Sequence, residues 1–586
     1  MSEQLQNKRH TLAHLLAYAV LQDFPNATPT LGPAIDNGFY YDIDFEGGPT
    51  PSDEELKNIQ KTMRKTISTW KAFSHKEVTA SEAKEIYKDN PFKLELITNL
   101  EADGATITLY TAGEGRTEFT DLCRGGHSEN PSEEISADAF KLTTLAGAYW
   151  RGDEKNKMLT RIYGLAFDTK EELDAYETQI AEARKRDHRK LGKELDLFTF
   201  SELVGAGLPL WTPNGTVVRN LLDEYMWKLR SKQGYQRVTI PHITKKDLYV
   251  TSGHWDKFGD ELFRIITREG KEYALKPMNC PHHTQIFDRK PHSYREMPQR
   301  YAETTMVYRD EQSGELGGLT RVLSITQDDS HVFCRHNQVK DEFFRIWDIV
   351  DTFYGTFGFS DMRVRLSFHD PLKMENYLGT KEIWESAESA LKEIAVERKA
   401  NYFEAQGEAA MYGPKLDFMA KDSLGREHQV ATIQLDMNLP NRFDLSCINE
   451  QGEKERIVMI HCAIMGSIER FSAVLIEHVG GNFPLWLSPT QVAIIPVSNI
   501  HNAYATEVYG ALHSIGVRVT INTENDSMGK KIRQAKKDRL PYFIVIGDTE
   551  VADKTVTLEK RDGTSQSVSL NAVGNHLLAE IESKVL

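Results

Sequence analysis

Hydrophobic and polar positions change rhythm along the chain, and the changes divide it. To about residue 165, a helical start gives way to short strand-like runs such as Thr106-Ile-Thr-Leu-Tyr110. The region ends in Ala146-Gly-Ala-Tyr-Trp-Arg-Gly152 and Arg161-Ile-Tyr-Gly164, a mixture that predicts an α+β domain. A charged helix is predicted from Asp168, where Asp168 and Glu171 have the spacing of a capping box. It runs into Arg184-Lys-Arg-Asp-His-Arg-Lys190, a polar linker ending near residue 197. A large domain over 198–487 follows. In it Pro209 and Pro213 precede a helix whose Val217, Val218, Leu221, Leu222, Tyr225 and Leu229 form one apolar stripe. Gly234 is its stop, and Arg237-Val-Thr-Ile-Pro241 reads as a strand ended by proline. From 488 to 586, the runs Val492-Ala-Ile-Ile, Gly516-Val-Arg-Val-Thr-Ile521 and Tyr542-Phe-Ile-Val-Ile546 alternate with helical stretches around 503–514 and 528–537. That alternation predicts a small α/β domain.

Length and charge narrow the classes. A chain of 586 residues has room for about three to four domains. Its 71 basic and 86 acidic residues leave a net charge of −15. That balance argues against coating nucleic acid nonspecifically, yet permits local patches that grip a folded RNA. Five cysteines, sparse and odd in number, argue against a secreted disulfide framework. The N-terminus has no apolar core of a signal peptide, and no run reaches the length of a membrane span. A soluble cytoplasmic protein without membrane contact is expected.

Candidate chemistry gathers in two sets. Cys280 sits in Lys276-Pro-Met-Asn-Cys-Pro281, His331 closes Thr326-Gln-Asp-Asp-Ser-His331, and His461 opens His-Cys-Ala-Ile-Met-Gly-Ser-Ile-Glu-Arg470. Cys/His/His is one ligand short of a closed tetrahedral zinc site, and an open position is what a catalytic or substrate-binding zinc needs. Their wide spacing does not force them together. In the second set, His10 and His14 share a helical face, and Cys123 and His127 lie in Asp121-Leu-Cys-Arg-Gly-Gly-His127. The histidines could position water and a hydroxyl for hydrolysis, with Asp121 orienting nearby groups, or the set could ligate a second zinc. A zincin protease is disfavoured, because Thr11 rather than Glu follows the first histidine.

The long helix followed by a strand ending in proline, Tyr308-Arg309-Asp-Glu311, and Gly466-Ser-Ile-Glu-Arg470 resemble motifs 1, 2 and 3 of class II aminoacyl-tRNA synthetases. With the zinc-ligand runs, the chain resembles the threonyl-tRNA synthetase family from about residue 8 to its C-terminus. The resemblance implies an antiparallel-sheet catalytic domain at 198–487, an α+β editing domain at 1–165, a linker helix at 166–197 and an α/β anticodon-binding domain at 488–586. It implies a homodimer that activates L-threonine with ATP, charges tRNA(Thr) and hydrolyses mischarged Ser-tRNA(Thr). Arg309 would hold the α-phosphate and the reacting carboxylate, and Glu311 would accept from the adenine amino group. Arg321 would meet the terminal phosphates, and Arg470 would cover the γ-phosphate and the base, since arginine's planar fork pairs phosphate oxygens. One Zn2+ per subunit on Cys280, His331 and His461 would take the amino group and hydroxyl of threonine and so reject valine. Asp329 would accept the hydroxyl, while Gln327, Tyr412 and Gln434 line the pocket. Lys415 would reach phosphate, His254 would assist transfer to the ribose, and Mg2+ would accompany ATP. Serine also has a hydroxyl, hence the editing set His10, His14, Asp121, Cys123 and His127. In the family these act generally without metal, whereas alanyl-type relatives bind zinc there.

Near the C-terminus, Lys530-Lys-Ile-Arg533 through Lys536-Lys-Asp-Arg539 concentrates positive charge. Asn525, Arg539 and Glu550 match positions of the family that read anticodon bases. Several residues depart from the family pattern. Ile325 stands for an adenine-stacking aromatic, Gly317 for histidine, Leu323 for arginine, His282 for glycine, and Glu559 for a base-reading arginine. The chain starts almost at the editing helix, which implies the form without the family's extra small N-terminal domain. Two rival readings are an RNA-binding regulator and a metal-dependent trans-editing hydrolase with a degenerate core. The first predicts loss of signature arginines or zinc ligands, all of which are present; the motif 2 departures lend support to the second.

Overall fold

A computed structural model describes residues 2–359 and 362–585. The chain forms two compact units, residues 1–181 and 182–586. The division falls inside the helix Lys170–Arg186, and a second helix, His188–Glu194, starts after Asp187 caps it. The expected capping box at Asp168 and Glu171 is displaced by one residue. Thr169 Oγ1 accepts the Glu172 N–H at 3.2 Å, and the Glu172 carboxylate accepts the Asp168 N–H at 3.1 Å. Asp168's own carboxylate is drawn instead to Lys8, 2.6 Å away.

In the first unit the helix Glu3–Asp23 is the axis, with every residue from Thr11 to Val20 buried. A helix covered on all sides needs apolar neighbours all round. Leu12, Leu15, Leu16 and Val20 pack with Phe39, Tyr41, Ile43 and Trp70, each buried large aliphatic contributing about 1.5–3 kcal/mol. Thr28–Leu31, Gly38–Asp44, Met158–Ala166 and Phe140–Tyr149 form an antiparallel sheet in that order. A second sheet orders Phe73–Val78, Ile107–Ala112 and Phe119–Leu122.

The second unit is built on an eight-stranded sheet. Its order is Gln236–Arg237, Gln299–Tyr308, Ser324–Cys334, Val458–Ala463, Glu427–Asp436, Lys415–Lys421, Arg363–Phe368, Tyr402–Gln406. Only its two edge pairings are parallel. The predicted helix appears as Pro213–Lys232, with Thr212 accepting the Gly215 N–H and Gly234 closing it at φ +79°. Val218, Leu222 and Tyr225 are buried, with Met226 beside them. The strand expected over 237–241 is cut short at Gln236–Arg237. Val238 N–H still reaches Ala302 O, but the Ile240 N–H is taken by the Glu303 side chain at 3.2 Å, which ends the ladder. In the C-terminal part, Val519–Ile521, Val492–Pro496 and Tyr542–Ile546 pair in parallel, and Thr555–Lys560 and Ser565–Ser569 extend the sheet antiparallel. The strand expected from Gly516 begins only at Val519, because Gly516 at φ +88° turns the chain out of the helix Asn502–Ser514. Among the described residues no helix is long and apolar enough to cross a membrane.

Candidate functional site

Strand register joins residues that lie far apart in the sequence. His331 faces His461, His461 faces Gln434, and Gln434 faces Lys415, a single row across four strands. Side chains alternate along a strand, so Gln327 and Asp329 share the face of His331. The helix Cys280–Asp288 brings Cys280 to the same row. One ligand atom each of Cys280, His331 and His461 lies within 4.8 Å of the others, and all three residues are buried. His461 Nε2 is held by Asp436 Oδ2 at 2.8 Å, which leaves Nδ1 3.1 Å from His331 Nε2. On its outer side, His331 Nδ1 lies 2.7 Å from His283 Nδ1. Outer contacts of this kind aim imidazoles at a cation. Burial raises the Cys280 thiol well above its ordinary value. Burial, then the neighbouring His461, depresses His331 well below its own. The set therefore offers a neutral imidazole and a thiol that a divalent cation would deprotonate, donors that fit tetrahedral zinc.

The row opens on a cavity of about 1100 Å3. Gln327, Asp329, Tyr412 and Gln434 line it near the histidines, and Arg309, Glu311, Arg321, Lys415 and Arg470 line the rest. Tyr412 OH donates to Gln434 Oε1 at 2.8 Å, and its ring stacks on His461. Asn279 Nδ2 donates to Asp329 Oδ2 at 2.9 Å. Arg309 lies over the Phe258 ring, and its buried Nε has no hydrogen-bond partner among the described residues. Arg321 is paired with Glu311 and Glu315 at 2.6 and 2.7 Å, so the Glu311 carboxylate faces a guanidinium here. Lys415 Nζ is 3.3 Å from Asp417. The turn before Arg470 is fixed by Asp328, which accepts the Ile464 and Gly466 N–H groups at 3.0 Å each. His254 is not on the cavity wall. It is fully buried, with Nδ1 2.8 Å from Ser252 Oγ and Nε2 3.7 Å from Cys280 Sγ, and burial pushes it down to about 3. Of the departures, Ile325 lines the cavity, Gly317 N–H bonds Arg321 O, and Leu323 N–H bonds Gly207 O. His282 is buried with both ring nitrogens unpartnered among the described residues.

A second cavity, about 820 Å3, lies in the first unit, lined by His10, His14, Asp121 and Cys123. Ligand atoms of His10, His14, Cys123 and His127 also fall within 4.8 Å. Cys123 Sγ is 3.3 Å from His127 Nε2 and 3.7 Å from His10 Nε2, while His10 Nδ1 is 3.1 Å from Gly126 O. Burial lowers His10, His14 and His127 and pushes the Cys123 thiol up to about 11. Asp121 is held by Lys93 and by Tyr41 OH, both at 2.5 Å. Sequence reasoning missed Lys93 and Tyr41. The available signal was a lysine enclosed by Phe92 and Leu94, which the fold leaves 2% exposed. Asp436 and His283, the outer partners of the first set, carry no spacing signal.

The expected RNA contacts divide. Asn525 is exposed. Arg539 Nη1 bonds Gly480 O, and Glu550 accepts from Gly547 N–H at 2.8 Å and Thr557 Oγ1 at 2.6 Å, so both side chains carry internal bonds. Lys531 points inward to the Pro496 and Asn522 carbonyls, leaving Lys530, Arg533, Lys536 and Lys537 exposed, and Glu559 pairs with Lys536 at 3.3 Å.

Residues 263–479 match the tRNA synthetase class II core domain (G, H, P, S and T), and residues 491–580 match an anticodon binding domain. Residues 107–163 match the threonyl and alanyl tRNA synthetase second additional domain. A threonine–tRNA ligase of Porphyromonas gingivalis is 48% identical over 556 residues, 94% of this chain and 84% of that protein. One from Gloeobacter violaceus is 46% identical over 568 residues, 95% and 89% of the respective chains. Among solved structures, the RNA binding domain of threonyl-tRNA synthetase from Cryptosporidium parvum Iowa II is similar with a TM-score of 0.64 at 38% identity. That match covers 68% of this chain and 98% of that one.

Proposed function

We propose, since the chain belongs to the threonine–tRNA ligase family, that it activates threonine with ATP, transfers it to tRNA(Thr) and hydrolyses Ser-tRNA(Thr) at a separate site. The observation that carries this reading is the row His331–His461–Gln434–Lys415 opening on a cavity that also holds Arg309 and Arg470. Attack of the threonine carboxylate on the α-phosphorus builds negative charge. Arg309, with an uncommitted Nε, and Arg470, at the head of its helix, are fixed cations for it. On ATP binding, Arg321 exchanges Glu311 and Glu315 for the terminal phosphates with their Mg2+, which frees Glu311 to accept from adenine. Lys415 reaches a phosphate oxygen. Cys280, His331 and His461 would hold one zinc ion, which would supply positions for the amino group and hydroxyl of threonine, a combination valine lacks. Asp329, steadied by Asn279, accepts the hydroxyl proton, and Gln327, Tyr412 and Gln434 shape the pocket around the methyl group. His254, buried beside Cys280, assists transfer to the ribose hydroxyl.

Serine passes the same test, because one methyl group is worth only about 1–3 kcal/mol. The second cavity answers that weakness: its neutral histidines position water and the ribose hydroxyl, and Asp121 is fixed by Lys93 to orient them. We assign editing to 1–165, the linker to 166–197, catalysis to 198–487 and anticodon binding to 488–586, with Asn525 and the exposed lysines facing RNA, and Arg539 and Glu550 reading bases only after exchanging their internal bonds. The working form is a cytoplasmic homodimer. The test is ATP–pyrophosphate exchange in zinc-replete protein with threonine, serine and valine. Strong exchange with threonine, weaker with serine and none with valine is expected; no exchange with any of them would overturn the reading.

A further inference from the structure

Arg321 and Arg470 reach the larger cavity from different segments, and one buried side chain touches both segments. His188 is 5% exposed. Its Nε2 accepts the Leu319 N–H at 3.1 Å, two residues before Arg321. Its Nδ1 lies 2.7 Å from Glu477 Oε1, two turns beyond Arg470 on the helix Ile468–His478, and the His188 N–H donates to the same oxygen at 3.0 Å. A carboxylate only accepts, so Nδ1 carries the proton, and the neutral ring then presents Nε2 as an acceptor to a backbone donor. A single tautomer satisfies both neighbours.

Three further observations show the fit is built. Gly318 adopts φ +56°, and a Cβ there would lie 2.4 Å from His188 Nε2, so the turn closes on the ring at a distance only glycine allows. Glu477 continues outward to Arg426 at 2.6 Å, Arg426 to Asp422 at 2.6 Å, and Asp422 to His428 at 3.0 Å, and His428 is back on the cavity wall. Leu319 is fully buried, so its amide could find no water if His188 were removed.

We propose that His188 is a positioning residue for nucleotide binding: by bridging the 317–321 turn to the helix Ile468–His478, it sets the separation of Arg321 and Arg470 and therefore the grip on the ATP phosphates. The proposal rests on the reading of this cavity as the ATP site. It requires a group at 188 that donates on one side and accepts on the other. Glutamine can do both, and phenylalanine can do neither while keeping the volume.

The test is threonine-dependent ATP–pyrophosphate exchange with full-length zinc-replete protein. His188→Phe is expected to raise the KM for ATP about tenfold, the scale of one buried hydrogen bond with its donor left unpaired, with the KM for threonine nearly unchanged. His188→Gln should restore most of that loss. Gly318→Ala, whose Cβ would press on the ring from the side of the turn, should reproduce the ATP effect without substituting the histidine. Hydrogen exchange of a peptide covering 312–322 should quicken in His188→Phe and not in His188→Gln. An unchanged ATP KM in His188→Phe, or equal losses toward ATP and threonine that glutamine does not rescue, would overturn the positioning role while leaving the cavity assignment intact. Absent exchange in the unmodified protein would overturn the cavity assignment itself.

Discussion

Both cavities gather a cysteine and histidines within the same 4.8 Å, yet their surroundings differ. In the larger one the imidazoles are held from outside. Asp436 takes His461 Nε2 and His283 meets His331 Nδ1, so the remaining nitrogens face each other near Cys280. In the smaller one, Nε2 of both His10 and His127 turns onto the Cys123 thiol, and Asp121, the carboxylate nearest His14, is occupied by Lys93 and Tyr41 with His14 4.0 Å away. The contrast teaches that clustered ligands do not make equivalent centres. What holds each ring from behind decides whether its lone pair serves a cation or a proton transfer.

The largest effect is expected from Arg309→Ala. Losing a preorganised donor in a water-poor site costs about 10²–10³ in rate, so threonine-dependent exchange should fall by at least that factor while Ser-tRNA hydrolysis stays level. A parallel fall in hydrolysis would break the separation of the two cavities. Next comes the metal. Asp436→Asn should weaken zinc about 10–100-fold, as loss of an outer carboxylate does, read by competition with a chromogenic chelator. Chelation of the unmodified protein should abolish exchange and spare hydrolysis. Hydrolysis lost with the zinc and regained on its return would make the smaller cavity a metal centre too.

Much of this was legible along the chain, for identifiable reasons. The helix Pro213–Lys232 announced itself through its stripe, the proline at its start and Gly234 at its end, all local signals. Arg309 and Arg470 were legible because each sits in a contiguous motif. The ligand row was named by the family resemblance and not by spacing, because His331 and His461 lie 130 residues apart and only the pairing of Ser324–Cys334 with Val458–Ala463 puts them opposite each other. Asp436, His283 and Lys93 were invisible for the same reason: an outer partner needs only to arrive in space. The strand ended early at Arg237 because a distant glutamate, Glu303, competed for its backbone, a contest no local pattern records.

Protons give a smaller contrast. Burial holds His10, His14 and His127 below the ordinary value near 6.5. The unfolded chain therefore binds protons first, so stability of the first unit is fully present above about pH 6.5 and declines as pH falls toward the lowered values. Protection factors for amide exchange in residues 3–23 should drop between pH 7.5 and 5, while hydrolysis stays flat between pH 6.5 and 8. A hydrolysis rate that bends near pH 6.5 would mean that one of these rings is wetter than its burial implies.

The smallest effect, expected at Cys123, sharpens the comparison most directly when the same substitution is set beside the one at Cys280. At Cys280, serine removes the thiolate that a zinc ion would draw out of a buried thiol, and exchange should be lost with the metal. At Cys123 the thiol is held near 11, so it stays protonated at neutral pH and serves His10 and His127 only as a weak hydrogen-bonding group. A serine hydroxyl donates and accepts in the same place, so Cys123→Ser should slow Ser-tRNA hydrolysis by less than about tenfold, the scale of one hydrogen bond. A loss of several hundredfold in single-turnover hydrolysis would require a thiolate in the reaction. Because burial and Asp121 both oppose that charge, the fold would then have to supply a cation that the histidines alone do not.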